Sequence, residues 1–407
     1  MLERYRMLDL SRFLPGPFAS HILADWGMDI LKVEETLPRY GMGRDSITPP
    51  DPTPEEDARY AAHNSLARNK RSISLNLLDP KLRPESQEVF YRLVKDADVV
   101  LEGYRPGVAK WMGVDYETLK KINPRIICCS ISGYGQEGPY VKRPGHDGQF
   151  VAITGLMGGR NGEGEPRQMG VALADVSSAL WAANAILAAL LEREVSGEGQ
   201  YIDVPMAGVV MTYGLTASTQ LKTPRYAMQR SGPGLGVLRC KDGQYISTGN
   251  ADQIFWANFM NAIGRPQYAD KRDVQGDEWS TMVNEVITHF LTKTRDEWLE
   301  ILIPAETCVA PIHMTMEEAF EDPQIQAIGM AWNLDHPTEG AVRQMGSPVR
   351  FSRTPAQFKS FAPIWGQETR DVLANAGYDT AAIDDLEARG IIRTAAEPSA
   401  TPSSANR

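Results

Sequence analysis

Apolar positions in the first third of the chain fall into two alternating rhythms, short extended runs and longer helical stretches. Tyr5–Leu10 is an apolar run, a helix opened by Gly16-Pro17 continues to Trp26, and Asp29-Ile-Leu-Lys-Val33 is extended again. Proline suits the first helical turn, where its missing N–H has no intrahelical partner to lose. The rhythm carries on through a helical stretch at Ser86–Asp96, a strand at Asp98-Val-Val-Leu101, a helix near Tyr116–Ile122 and a strand at Ile126–Ile131. Repeated strand and helix signals of this kind predict an α/β fold, a parallel sheet with helices on its faces. Ligands collect at the carboxyl ends of such strands, which here lead into Ser11–Gly16, Glu102-Gly-Tyr-Arg-Pro-Gly107 and Ser132–Gly138.

Two insertions interrupt the pattern, a proline-rich acidic one at Thr48–Glu56 and a glycine-rich one at Gly158–Gly164. A long helix over about Asp175–Arg193 and a short strand near Tyr201–Val204 follow. The cluster Ser231-Gly-Pro-Gly-Leu-Gly236 then opens a second region, with a hairpin at Gly236–Thr248 turning at Lys241-Asp-Gly243 and helices around Phe255–Ile263 and Glu297–Ile303. That mixture reads as a small α+β domain. The chain leaves it near Pro323, and a strand-like Pro348–Ser352 precedes a helix at Thr369–Ala376. A tail rich in Ala, Ser, Thr and Pro, 396–407, is expected to be disordered.

A length of 407 residues exceeds the roughly 250–300 at which one core usually divides, so two domains are the default. The formal net charge of −10 disfavours nucleic acid and anionic membrane surfaces as partners. Phosphate groups on a ligand must then be met by local cations or backbone N–H groups. No apolar run is read as reaching the roughly 20 residues of a membrane span. The first seven residues lack a signal-peptide layout, which makes a cytoplasmic location the expectation. Four cysteines are read as reduced, with the adjacent Cys128 and Cys129 as strand packing rather than nucleophiles.

Candidate chemistry gathers where glycine-rich backbone meets acids: Gly133–Tyr140, then Arg143-Pro-Gly-His-Asp-Gly-Gln149, then Leu173-Ala-Asp175. Asp175 precedes a helical pattern, so it can be an N-cap or a carboxylate held ionised by the helix N-terminus, as a nucleophile requires. His146-Asp147 can start a helix over Gln149–Leu156 or contribute to chemistry with Asp175. The six histidines are scattered, no metal-ligand spacing occurs, and no G-x-S-x-G elbow or phosphate-loop glycine motif is present. Arg68-Asn-Lys-Arg71 is either a phosphate site or a solvated surface.

Further motifs run in order along the chain: Leu8-Asp-Leu-Ser11 with Gly16-Pro17, Asn69-Lys-Arg-Ser72, Glu102-Gly-Tyr-Arg-Pro-Gly107, Ile131-Ser-Gly-Tyr-Gly-Gln136, Leu173-Ala-Asp175, Gly197-Glu-Gly-Gln200, Glu318-Ala-Phe-Glu-Asp-Pro323 and Gly366-Gln-Glu-Thr369. On these motifs, from about Met7 to about Ile392, the chain resembles family III CoA-transferases, the group that contains formyl-CoA and carnitine CoA-transferases. The resemblance implies that Asp175 is a nucleophile, with His146 and Asp147 beside it and Gly232 and Gly234 in a glycine segment that shields acyl intermediates from water. It implies a coenzyme A thioester as substrate, a carboxylic acid as acceptor and no tightly bound cofactor. For the CoA arm it implies Phe13, Leu14, Arg71, Leu75, Gly103, Tyr104 and Arg105, with Lys142 nearby. Tyr104 would stack on adenine, and Arg71 or Arg105 would pair with phosphate.

Two positions depart from the family pattern, Glu35 and Trp111, each standing where an arginine is common. The resemblance further implies an interlocked homodimer. Its large Rossmann-like domain would combine residues 1–205 with 325–395, and 226–324 would form the small α+β domain. A second reaction class in the same superfamily, the 2-methylacyl-CoA racemases, uses a His and an Asp as opposed bases, which His146 and Asp175 match. Asp252 stands where racemases carry a glutamate. Against that class, Asp175 is followed by Val176-Ser-Ser-Ala, and Ser231–Gly236 replaces the racemase segment, so transferase is the preferred reading. A catalytically silent subunit is disfavoured because Asp175 is retained. The Thr48–Glu56 insertion lies near the expected CoA site and would tune acceptor choice.

Overall fold

The structure, a computed structural model, describes residues 1–37, 52–158, 165–214 and 236–395. The expected disordered tail, the shielding glycines Gly232 and Gly234 and the first part of the proline-rich insertion lie outside the described residues. The rest of that insertion enters the Pro54–His63 helix, which Thr53 caps by accepting from the Glu56 N–H while Glu56 accepts from Thr53 in return.

In chain order, the strands of the first stretch are β1 (Arg6–Asp9), β2 (Asp29–Glu34), β3 (Lys70–Leu75), β4 (Val99–Glu102), β5 (Ile127–Ser132) and β6 (Tyr201–Pro205). Then come β7 (Val237–Arg239), β8 (Tyr245–Thr248), β9 (Val309–Ile312), the pair β10 (Ala331–His336) and β11 (Gly340–Met345), and finally β12 (Ile392–Arg393). Among the described residues the main sheet runs β12-β3-β2-β1-β4-β5-β6, parallel throughout except for β12. The 3-2-1-4-5-6 core of that order is the Rossmann arrangement, whose ligand crevice opens where successive strands diverge, between β1 and β4.

Strands covered on both faces read as near-continuous apolar runs. Met7, Ile30, Val99, Leu101, Ile127 and Cys129 project to one side, against the Pro15–Asp25 and Leu173–Ser196 helices. Their neighbours Leu8, Leu31, Ile73, Val100 and Cys128 project to the other, against Val89 and Phe90 of the Arg83–Val94 helix and Leu373 and Ile383 of the C-terminal helices. Burial pushes both adjacent thiols well above their usual range, consistent with packing rather than nucleophilic roles.

The chain divides into two compact units, one joining the chain up to Ala217 with the chain from Ile328, the other running from Ser218 to Ala327. In the second unit β7 and β8 form the expected hairpin. Its turn closes by Cys240 N–H donating to the Gln244 carbonyl at 2.8 Å, with Gly243 in the left-handed region. β9 adds antiparallel to β8.

Three expectations need correction. The Leu173–Ser196 helix is long and apolar enough to cross a membrane by length and composition, yet half of its most apolar stretch is buried within the chain, where it serves as core. Pro348–Ser352 is not a strand. The extended pairing lies earlier, in β10 and β11, whose interleaved Asn, Asp, Arg and Gln hide the alternation.

The basic set 68–71 is not a solvated face, because Arg68 and Lys70 are buried and the half-exposed Arg71 is paired within the chain. Arg68 is fully buried, forked onto Asp25 at 2.6 and 3.1 Å, and donates to the Met345 carbonyl at 2.6 Å. Asn69 donates to Asp25, and Lys70 is buried against Ser20. Arg71 forks onto Asp29 at the amino edge of the sheet, across the strands from the ligand crevice.

Candidate active site

The site is assembled by short polar anchors at the carboxyl ends of β1, β4 and β5. At the end of β1, buried Asp9 accepts from the Ser11 N–H at 2.9 Å and from the hydroxyls of Ser11 and Ser20. Lys70 Nζ lies 3.7 Å from Asp9 and donates to the Pro17 carbonyl at 2.9 Å and to Ser20 Oγ at 2.7 Å. Burial lowers the Lys70 ammonium to about 8, with Asp9 opposing that shift. This network ties down the Ser11–Gly16 turn. A Cβ on Gly16 would sit 2.1 Å from Ser11 Cβ, so the turn closes only over glycine. Phe13, in the same turn, is 45% exposed and holds a left-handed φ of 64°, an uncommon conformation for a bulky residue.

At the end of β4, buried Glu102 accepts from the Ser130 hydroxyl and from the Tyr104 N–H at 2.7 Å, which sets the Gly103–Gly107 turn. Burial raises the Glu102 carboxyl to about 7. Gly103 and Arg105 are exposed, while Tyr104 is half-buried against the core face that carries Val100. Glu35 is buried and paired with Arg12 at 3.5 Å, and Trp111 is exposed with the Arg83 guanidinium 3.5 Å above its ring.

Beyond β5, Gly133 passes directly over Phe150, so that a Cβ there would lie 2.1 Å from Phe150 Cε1. Phe150 belongs to the Asp147–Ala152 helix and packs edge-on to Tyr134, which fixes where that helix starts. His146 immediately precedes it, donates its backbone N–H to Gln149 Oε1 at 3.0 Å, and presents an exposed imidazole edge-to-face with Phe13 at 6.4 Å. The β1 turn and the β5 segment therefore converge on one imidazole.

Asp147 supplies the link to the long helix. Its Oδ1 accepts from the backbone N–H groups of Ala174 at 2.6 Å and Asp175 at 3.1 Å, in the first turn of Leu173–Ser196. The capping duty considered for Asp175 therefore falls to Asp147. Asp175 sits inside the helix with its carboxyl half-buried and without a capping bond. Burial first, and then the nearby Asp147 charge, raise the Asp175 carboxyl to about 6, against a lowering pull from His146. Two carboxylates and an imidazole thus share one helix N-terminus, a region that favours anions and can hold a carboxylate ready to react.

Of the residues expected to contact CoA, Phe13, Leu14, Gly103, Tyr104 and Arg105 lie in the turns that border the β1–β4 crevice, and Lys142 is exposed in the segment leading to His146. Two are elsewhere. Leu75 is 1% exposed in the core, and Arg71 is spent on Asp29 at the opposite sheet edge. Asp252 directly precedes the Gln253–Ala262 helix of the second unit. Among the described residues no three His, Cys, Asp or Glu side chains converge as metal ligands would.

The chain is similar to several known proteins. A human protein named succinyl-CoA:glutarate CoA-transferase is 32% identical, with 96% of this chain and 90% of that protein aligned. A human alpha-methylacyl-CoA racemase is 27% identical over 97% of this chain and 98% of its own. A crystal structure of a CaiB/BaiF family protein from Brucella suis superposes with a TM-score of 0.73 at 26% identity, covering 92% of this chain and 99% of that one. Residues 2–369 match CoA-transferase family III as a whole. With a Rossmann-ordered sheet, an acid pair at a helix N-terminus and that match over nearly the full chain, the protein belongs to CoA-transferase family III and is a CoA-transferase.

Proposed function

We propose that the enzyme moves CoA between carboxylic acids by covalent catalysis on Asp175, with succinyl-CoA and a short dicarboxylic acid as the substrate class suggested by the human relative. The observation that carries this reading is the half-buried Asp175 carboxyl in the first turn of the long helix, its backbone N–H held by Asp147. Asp175 attacks the donor thioester carbonyl, forming a mixed anhydride and releasing CoA thiolate. The thiolate attacks the aspartyl carbonyl, which frees the donor acid and leaves an aspartyl-CoA thioester. The acceptor carboxylate displaces thiolate from that thioester to form a second anhydride, and the thiolate then takes the acceptor acyl group, restoring Asp175. Phe13, Leu14, Gly103, Tyr104 and Arg105 are assigned to the CoA arm, with Lys142 on an acidic or phosphate group.

Hydroxylamine added during turnover should label Asp175 alone, because only an acylated carboxylate is electrophilic. Mass spectrometry of tryptic peptides reads this directly, and a label on cysteine would move the chemistry to a thiol.

A second reading has one specific support, the exposed His146 imidazole next to Asp147, whose carboxylate holds the Asp175 N–H. In that reading the pair removes and returns an α-proton of a 2-methylacyl-CoA. For a transferase, His146→Ala should slow CoA exchange about ten- to a hundredfold through lost orientation, and the wild type should incorporate no deuterium at the α-carbon. Rapid α-deuteration by the wild type, with no CoA transfer to any acid tested, would establish the racemase.

We further propose a homodimer. The Leu173–Ser196 helix leaves Leu180, Trp181, Leu191 and Val195 exposed along one side, an apolar stripe of the kind that marks an interface. Sedimentation at micromolar protein tests this, and a monomer would refute it.

A further inference from the structure

Resting on the CoA-transfer reading, we propose that Arg143 binds the non-reacting carboxylate of a dicarboxylic substrate and so selects diacids over monoacids. In a chain of net charge −10, most of the arginines near the main sheet are committed: Arg68 to Asp25, Arg71 to Asp29 and Arg193 to Asp98. Arg143 differs. Its side chain is exposed, no carboxylate lies within ion-pair distance among the described residues, and its guanidinium carbon lies over the Tyr140 ring, 3.7 Å from the centroid.

That ring is itself anchored. Tyr140 meets Tyr134 edge-on at 5.6 Å, Tyr134 meets Phe150 at 5.1 Å, and Phe150 lies in the helix that begins at Asp147. The cation is therefore oriented through three aromatic contacts from the element that holds the nucleophile's helix. The Arg143 N–H also donates to the Tyr140 carbonyl at 2.8 Å, which closes the turn beneath it. Arg143 stands four residues before Asp147, a span of at most about 14 Å of backbone. In the proposed pose a short diacid places one carboxylate at the guanidinium and the other at Asp175.

Chemistry favours arginine for this task. Its planar fork matches a carboxylate with two parallel hydrogen bonds, and stacking on an aromatic face limits the freedom lost when it binds. A diacid also brings a second negative charge toward Asp147 and Asp175, and a cation is needed to offset that repulsion.

The test compares diacid and monoacid acceptors of equal chain length, such as glutarate and pentanoate, in wild type, Arg143→Gln and Arg143→Lys, with free CoA binding measured by calorimetry. Arg143→Gln is expected to lower the glutarate-to-pentanoate ratio of kcat/KM by about ten- to a hundredfold, the size of one lost charged hydrogen-bond pair. Arg143→Lys should fall between the two, since it keeps charge and loses the fork. An unchanged ratio in both variants overturns the proposal. Equal losses for both acids with weaker CoA binding also overturn it and assign Arg143 to a CoA phosphate. A wild type that passes CoA to no acid would instead remove the transferase reading on which the proposal rests.

Discussion

Asp175→Ala is expected to fold and to lose CoA transfer by at least about a thousandfold, because the other carboxylate at this helix N-terminus, Asp147, is engaged in holding the Ala174 and Asp175 N–H groups. Asp175→Asn should bind CoA yet yield no hydroxylamine-trapped adduct. The raised carboxyl adds a pH signature. With Asp175 titrating at about 6, kcat/KM should fall as pH drops through that value, about tenfold per unit below it, since only the anion attacks.

The stability sign runs the other way. A carboxyl raised on folding favours the protonated native state, so its ionisation penalises the fold progressively as pH rises from about 4 through about 6. Removing it should therefore raise the melting temperature slightly at pH 7 and have no such effect near pH 4. Thermal unfolding at the two pH values, beside the rate profile, checks both signs. Near wild-type turnover in Asp175→Ala would rule out the aspartyl mechanism.

Arg68→Met is expected to destabilise the large unit by about 3–5 kcal/mol, although Arg68 lies outside the site. The substitution leaves Asp25 buried without its cation, which is the costly way to break a buried ion pair. It also removes the bonds to Gln344 and the Met345 carbonyl and the stacking of the guanidinium 4.4 Å from the Trp332 ring. His21, 3.7 Å from Asp25, cannot replace the charge because burial lowers its pKa to about 4. Urea unfolding measures the loss, and the double change Arg68→Met with Asp25→Leu should recover part of it by removing both charges. A midpoint shift worth under about 1 kcal/mol would show that the pair is not holding the β10–β11 hairpin in place.

Most of the main sheet was legible because strands such as β4 and β5 are apolar on both faces, whereas β3, Lys-Arg-Ser-Ile-Ser-Leu, was hidden by its polar positions. Asp29-Ile-Leu-Lys-Val33, Asp98–Leu101 and Ile126–Ile131 each fall within a residue or two of β2, β4 and β5. The hairpin at Lys241-Asp-Gly243 was legible from turn chemistry, since Gly243 must adopt a positive φ. β10 and β11 were not, because half-exposed strands carry Asn, Asp and Arg between the apolar positions and mimic loop composition.

The acid pair was legible as a pair, but its division of labour was not. That Asp147, 28 residues before Asp175, would accept that residue's N–H depends on tertiary placement that no local pattern encodes. The same holds for Arg68–Arg71. A run of cations reads as surface until the structure shows Asp25, Asp9 and Asp29 waiting for it from other segments.

The closing of the sheet by the C-terminal segment has a consequence for biosynthesis. The Ser74 N–H of β3 donates to Thr369 Oγ1, 295 residues later in the chain, and Ile392 of β12 covers Leu75 of the same strand. At the usual synthesis rate of about 5–20 residues per second, the outer edge of β3 waits roughly 15–60 s on the ribosome before its partner exists. Throughout that interval an unpaired strand edge is open to neighbouring nascent chains, so yield in the cell is expected to depend on translation speed and chaperone supply as well as on the stability of the finished enzyme.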